Sequence, residues 1–164
     1  MALKADRHEQ TTDISYFYVA GTGTRGGVVC LDILSASGAA MDRGDNTVSY
    51  QAATTTDVPV GILLNDVVDK DRTRMKLNEY KDEVQKGGKV TVMTQGYVVT
   101  NMVDGTPSPG DVAYASDDVA KPGYISTYAA DATASGNLAI GRWMSAKDAD
   151  GYAKVRINLP NFGA

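Results

Sequence analysis

Alternation of apolar and polar residues is the main pattern along this chain, and it predicts β-strands. The clearest case, at residues 153–159, reads Ala-Lys-Val-Arg-Ile-Asn-Leu, and Pro160 ends it. A period of two places successive side chains on opposite faces of a sheet, so this segment predicts a strand with one buried face.

Shorter strand-like runs follow one another through most of the chain. They occur at 14–19, 28–31, 47–50, 89–94, 96–103, 111–115, 124–128 and 138–144. Turn-forming residues separate most of them, for example Asp104-Gly105 and Lys121-Pro122-Gly123. Valine is frequent, and nine tyrosines and 17 glycines suit strands and tight turns. Short strands at this spacing are typical of a sandwich or a barrel.

The chain also resembles itself when it is shifted by about 80 residues, a sign of an internal repeat. Four segments match in the same order: Gly27–Cys30 with Gly110–Ala113, Val48–Ala53 with Ile125–Ala130, Pro59–Leu64 with Ala139–Met144, and Lys89–Val92 with Lys154–Ile157. These matches predict two related β units packed as one domain, residues 14–164. The alternative is that short β segments align by chance.

Two segments depart from this pattern. Residues 1–13 are polar and without periodicity, so we interpret them as an extended N-terminal arm. Residues 66–86 form a charged insertion in which Leu77, Tyr80 and Val84 are spaced for a short amphipathic helix, or for a charged excursion that contacts a neighbour. The predicted fold is mainly β: a compact barrel or sandwich of two related units, with the arm and at most one short helix.

Charge and composition exclude several classes of function. The net charge of −4 gives no basic excess for binding nucleic acid. The single cysteine excludes an internal disulfide, and no apolar run approaches the roughly 20 residues of a membrane span. We therefore expect a soluble protein that folds in a reducing cytosol, with no nucleic-acid or membrane partner.

Candidate chemistry is sparse. Residues 21–26, Gly-Thr-Gly-Thr-Arg-Gly, match a dinucleotide-binding motif, but that motif needs a helix next, and the following residues favour a strand. A mobile or assembly-related glycine loop is the preferred interpretation. The only histidine, His8, lies in the arm, and Cys30 suits a buried strand position. We expect no enzymatic activity, cofactor or metal.

Several strings together resemble the capsid cement or head decoration proteins of tailed bacteriophages, most of all those of cyanophages and other aquatic phages. They are Val60-Gly-Ile-Leu-Leu-Asn-Asp-Val67, Gly87-Gly-Lys-Val-Thr-Val92, Gln95-Gly-Tyr-Val-Val-Thr-Asn101, Pro109-Gly-Asp-Val-Ala-Tyr114, Ile140-Gly141 and Val155-Arg-Ile157. The resemblance implies a virion protein, made in the host bacterial cytoplasm, that binds the outer capsid surface. It implies bridging of major capsid protein subunits, and a homotrimer with a dimer as the alternative.

The residues expected to contact the capsid come from the arm, the first strand and the insertion: Leu3, Lys4, Arg7, Tyr16, Phe17, Arg72, Arg74 and Tyr80. A different function stays open, that of a β carbohydrate-binding or tail-associated module. It would use Trp143 or the aromatic residues at 16–18 at the surface.

Overall fold

The computed structural model describes residues 3–4, 6–19, 23–32, 46–50, 58–67, 83–84, 87–129 and 138–159. All regular secondary structure in these ranges is β-strand, which confirms the predicted mainly β class. Most of the charged insertion lies outside them, but Glu83–Val84 form a strand, so a helix that reaches Val84 is contradicted there, while Leu77 and Tyr80 lie outside the described residues.

Thirteen strands are present in the described ranges. They are β1 (His8–Asp13), β2 (Phe17–Tyr18), β3 (Gly23–Thr24), β4 (Val28–Leu31), β5 (Thr47–Ser49), β6 (Pro59–Val67), β7 (Glu83–Val84), β8 (Lys89–Thr100), β9 (Val103–Asp104), β10 (Val112–Ala115), β11 (Ile125–Ser126), β12 (Leu138–Trp143) and β13 (Ala153–Asn158). Strands β3 and β7 form a separate small ribbon.

The first β unit is a closed five-stranded barrel. Its strands pair in the order β2, β5, β4, β6 and β8. Strand β2 lies parallel to β5, and Phe17 of β2 also pairs with Lys89 of β8, which closes the ring. The predicted barrel is therefore confirmed for this unit.

The second β unit repeats the order of the first. Strand β9 lies parallel to β11, and β11, β10, β12 and β13 then pair antiparallel in sequence. Each strand thus takes the position of its counterpart in the first unit. Strand β13 finally pairs with Gln95–Thr100, the second half of β8, so this long strand belongs to both units. The predicted internal repeat is present in the strand pairing.

The register repeats as well, and it corrects two of the four predicted matches. Leu63 pairs with Val92 and its counterpart Trp143 pairs with Val155, so Val92 corresponds to Val155 and not to Ile157. The other correction concerns β4. Val29 pairs with Gly61 and Ala113 pairs with Gly141, and both pairs are followed by a bulge. Val28–Leu31 therefore correspond to Val112–Ala115, one residue away from the predicted match of Gly27–Cys30 with Gly110–Ala113. The error arose because β4 is apolar at every position, so that its hydrophobic pattern cannot set a register.

Gly61 and Gly141 occupy the same place in the two units. A Cβ on Gly61 would collide with the carbonyl of Met93 in β8, and one on Gly141 would collide with the carbonyl of Arg156 in β13. At both positions the next strand approaches so closely that only glycine fits. This shared requirement explains why a glycine precedes the bulge in both repeats.

Two clusters of buried side chains form the core. One fills the first barrel and contains Tyr18, Val29, Val48, Val60, Leu63, Val84, Val90 and Val92. The other fills the second unit around Trp143 and also takes in Val28, Cys30, Ile62, Leu64 and Met93. Those five residues come from β4, β6 and β8 of the first unit, so parts of these strands are buried on both faces.

The N-terminal segment runs antiparallel along one edge of β8. Leu3 bridges to Thr100, His8 and Asp13 pair with Tyr97 and Val92, and β2 follows at Lys89. Strands β6 and β13 occupy the opposite edge, since Met93 pairs with both Ile62 and Thr12. Most side chains of β1 are exposed, so backbone pairing rather than burial holds it in place. This segment covers an edge of β8 that would otherwise be open.

Candidate functional site

The described ranges were considered first for metal-binding side chains, for cysteine and histidine, and for a membrane-spanning helix. No group of three or more His, Cys, Asp or Glu side chains lies close enough there to hold a metal ion. Cys30 is a buried free thiol, and His8 stacks on Tyr97 with ring centroids 5.5 Å apart. A search of the same ranges for a helix long and apolar enough to cross a bilayer finds none.

The glycine motif forms a joint between the two units. The Gly26 amide donates to the carbonyl of Leu63 (2.8 Å), and the Thr100 hydroxyl donates to the carbonyl of Gly26 (2.9 Å). A Cβ on Gly27 would lie 2.8 Å from the Met102 sulfur and from the carbonyl of Gly123. Strand β4 follows the glycines, as the sequence predicts, so the described residues of the motif serve packing.

Tyr50 fixes this joint from inside the first unit. Its hydroxyl donates to the carbonyl of Thr24 and accepts from the Gly27 amide at 3.2 Å. Burial raises the pKa of Tyr50 well above its ordinary value. Tyr18 meets it edge to face, with centroids 5.8 Å apart, and burial raises the pKa of Tyr18 to about 12. Both phenols are therefore neutral structural groups at any physiological pH.

The surface that remains for a partner includes the outer side of the second unit. Strand β13 alternates buried and more exposed positions, and the latter point away from the core. The free face, as we name this surface, consists of Thr11, Gln95, Asn158, His8, Tyr97, Arg156, Arg142, Val112 and Lys154. It extends without interruption from β10 to β1.

One row of side chains crosses the whole free face, because each member pairs directly with the next. In order these are Val112, Arg142, Arg156, Tyr97 and His8. The Lys154 ammonium lies 4.0 Å from the centroid of the Tyr97 ring, a cation–π contact. The row is therefore rich in cations and aromatic rings.

A groove of about 560 Å³ opens on this face. Its polar lining comes from Gln10, Gln95, Arg142, Arg156 and Asn158. Apolar atoms come from Val112, Ala139, Ile140, Gly141 and Ile157. The groove is thus open to solvent and lined by both polar and apolar atoms.

Ion pairs fasten the arm beside the free face. The Lys4 ammonium donates to Asp148 at 2.9 Å and lies 4.1 Å from the centroid of the Tyr152 ring. This hydrogen bond raises the pKa of Lys4 above its ordinary value and lowers the pKa of the Asp148 carboxyl. Lys154 lies 3.5 Å from Asp6, and Arg7 lies 2.6 Å from Glu9. The arm is held here by exposed charges.

The predicted contact residues do not form one site. Lys4 and Arg7 lie beside the free face, whereas the Leu3 side chain is buried at 6% exposure within the core of the second unit. Tyr16 packs against the barrel core, and Phe17, half-buried, lies under the Lys89 ammonium at 5.4 Å. Arg72, Arg74 and Tyr80 lie outside the described residues.

Two expectations about aromatic and basic residues change with the structure. Trp143 is fully buried, as is Tyr18, so neither is available to stack on a sugar. Arg142 and Arg156 were not predicted as surface neighbours, because they lie on different strands and only the pairing of β12 with β13 places them together. The alternation at 153–159 was the available signal that one face is exposed.

Comparisons with known proteins agree with the resemblance. A profile of the structural cement protein family (E217 gp24/Pam3 gp6) matches residues 5–158. A chain from the solved structure titled "The capsid of Myoviridae Phage XM1" is similar, with a TM-score of 0.57 and 16% identity over 97% of this chain and 88% of that one. No curated protein matches the sequence.

Proposed function

Since the chain belongs to the structural cement protein family of phages, we propose that it binds the outer capsid surface through the N-terminal arm and the free face. The family establishes a structural role in the virion and association with shell proteins. Our proposal adds the partner, two neighbouring major capsid protein subunits, and the surface that contacts them.

The observation that carries the proposal is the position of the arm. Within the described ranges β1 pairs with β8 alone, so its outer edge presents backbone N–H and C=O groups. An extended, docked strand of this kind can pair with a partner strand at a smaller entropic cost than a free chain. The exposed charges of Lys4, Arg7 and Glu9 surround this edge.

A bridging role suits a surface of this shape. The arm and the free face together span from β1 to β10, which allows contacts with two neighbouring subunits at once. Two modest contacts on one rigid body reinforce each other through effective concentration.

We also propose that the charged insertion is a further capsid contact, and that the protein has no enzymatic role. A homotrimer, with a dimer as the alternative, completes the proposal, and native mass spectrometry distinguishes these states.

The proposal is tested by displacing the arm without removing it. A Cβ on Gly96 would collide with the carbonyl of His8, and the φ of Gly96 is +139°, so Gly96→Ala forces β1 away from β8. We expect Gly96→Ala, and deletion of residues 1–13, to weaken binding to purified shells that lack the cement protein by about tenfold or more. Co-sedimentation with such shells measures the occupancy.

Gly87→Ala is the matched control. Gly87 also has a positive φ, +86°, but no atom lies within 4 Å of an added Cβ. Both variants therefore carry backbone strain, and Gly96→Ala adds the collision with the His8 carbonyl and a close contact with the Met93 sulfur. Full occupancy of the shells by both Gly96→Ala and the deletion variant would refute the role of the arm.

A further inference from the structure

Two arginines face each other directly across the free face. Arg142 of β12 and Arg156 of β13 are cross-strand partners in the antiparallel ladder, and both side chains are exposed. Directly opposed residues have Cβ atoms roughly 5 Å apart, and like charges at this position destabilise a sheet. The pair therefore works against folding unless something else neutralises it.

The rest of the molecule does not neutralise this pair within the described ranges. The Arg142 guanidinium donates one hydrogen bond, to the carbonyl of Gly110 at 2.9 Å. No carboxylate described in the structure lies within ion-pair distance of Arg142 or Arg156, although four other ion pairs form there. The arginines keep most of their donors directed to solvent.

Both arginines line the groove of about 560 Å³, together with the side-chain amides of Gln10, Gln95 and Asn158. We propose that this groove binds the carboxylates of an acidic peptide segment of a shell protein. A guanidinium donates two parallel hydrogen bonds to a carboxylate, and the amides supply further donors beside it. This inference rests on the proposed function and assigns a chemistry to part of its surface.

A peptide fits this groove better than a nucleic acid does. Glu9 and Asp111 adjoin the lining residues Gln10 and Val112 in the chain, and the protein as a whole carries a net charge of −4. A phosphodiester backbone carries its charges at fixed intervals and would meet these flanking carboxylates, whereas the flexible side chains of an acidic peptide can direct their carboxylates to the two arginines. The half-buried side chain of Val112, also in the lining, suits the aliphatic part of a peptide.

The test uses the intact protein and fluorescein-labelled hexaglutamate, with hexaglutamine and a thymidine hexanucleotide as comparison probes. We expect hexaglutamate to bind the wild type in fluorescence anisotropy at low salt, and the variant Arg142→Gln/Arg156→Gln to bind it at least tenfold more weakly. The control Lys89→Gln/Lys147→Gln changes the net charge equally at residues that do not line the groove. It is expected to bind within twofold of the wild type.

Thermal unfolding supplies the second measurement. Because it removes an opposed like charge, Arg156→Gln is expected to leave Tm unchanged or to raise it by about 1–3 °C. A fall of several degrees would assign the pair to folding and overturn the proposal. The proposal would also be overturned if the control variant lost as much affinity for hexaglutamate as the arginine variant does. Binding of the oligonucleotide more tightly than hexaglutamate, through the same arginines, would overturn it as well. Shell binding by Gly96→Ala and by the deletion variant is measured in a separate experiment. A failure of the groove proposal therefore does not affect the proposed role of the arm.

Discussion

The two β units pair their strands in the same order and differ in which faces are buried. In the first unit, β4 and β6 contribute side chains to both core clusters, and their sequences are nearly continuous apolar runs. In the second unit, β13 buries only one face and alternates. The same strand order thus contains strands that are buried on both faces in the first unit and a strand with one exposed face in the second. The free face lies where the alternation is clearest.

The two units also place large and small core side chains on different strands. Leu63 of the first unit corresponds to Trp143 of the second, whereas Leu31 corresponds to Ala115 and Tyr18 to Val103. A large residue on one strand is matched by smaller residues on the facing strands. Close packing requires such compensation when two copies of a fold diverge. The repeat therefore preserves pairing geometry while side-chain sizes change.

The largest expected effect comes from removing the side chain at the equivalent core position of each unit. Trp143→Ala is expected to lower the free energy of unfolding by about 3–5 kcal/mol, and Leu63→Ala by about 2–5 kcal/mol. Both residues are fully buried. Because one core cluster contains residues of both units, each variant should lower the stability of the whole protein.

Urea unfolding followed by far-UV circular dichroism measures this effect. In the wild type, the fluorescence of Trp143, the only tryptophan, reports on the second unit, and its transition is expected to coincide with the circular dichroism transition. Two separate transitions, with each variant shifting only one, would contradict the shared core and make the units independent.

A smaller effect is expected at the joint between the units. Tyr50→Phe removes the hydroxyl that links Thr24 and Gly27, and leaves the Gly27 amide without this partner. The expected loss of stability is about 1–2 kcal/mol. Tyr16→Phe is the control, because no hydrogen bond of the Tyr16 hydroxyl occurs in the described part of the chain. A loss no larger than that of the control, in the same urea experiment, would refute the role of this hydroxyl.

Much of the fold was predictable because local patterns determine it. Alternation identified β13, and the repeated segments predicted two related β units, which the strand pairing shows. The register of β4 was predicted wrongly, since a strand that is apolar on both faces has no period to read. The position of the arm was also beyond sequence patterns. Its polar residues pair with β8 through backbone atoms, which carry no sequence signal.

The candidate site was less predictable than the fold. Lys4 and Arg7 were expected to contact the capsid as part of the arm, and they lie beside the free face. Leu3 was expected to do so as well, but its side chain enters the core of its own chain. Arg142 and Arg156 are 14 positions apart, and only the β12–β13 ladder makes them neighbours. Surfaces of this kind depend on tertiary pairing.

The smallest expected effect concerns the exposed ion pair that holds the arm, in contrast to the buried cores that hold the two β units. The pKa of Asp148 is lowered by its hydrogen bond to Lys4, so this contact is present above the ordinary value of 3.8 and is lost as the pH falls through the lowered pKa. The raised pKa of Lys4 keeps the contact intact up to pH 10.5 and beyond, until the pH rises through that raised pKa. We therefore expect the start of the arm to loosen at acidic pH while the two β units stay folded.

Hydrogen exchange of the Lys4 amide, which donates to the carbonyl of Val99 at 2.9 Å, measures this loosening. Protection should fall below about pH 4, and added salt should reduce it at neutral pH, because both charges are exposed to solvent. Asp148→Asn is the control: its Lys4 amide should exchange faster already at neutral pH and show no acid step beyond the intrinsic pH dependence. An acid step of equal size in Asp148→Asn would show that another carboxylate fastens the arm, and that the charged contact beside the free face is incidental.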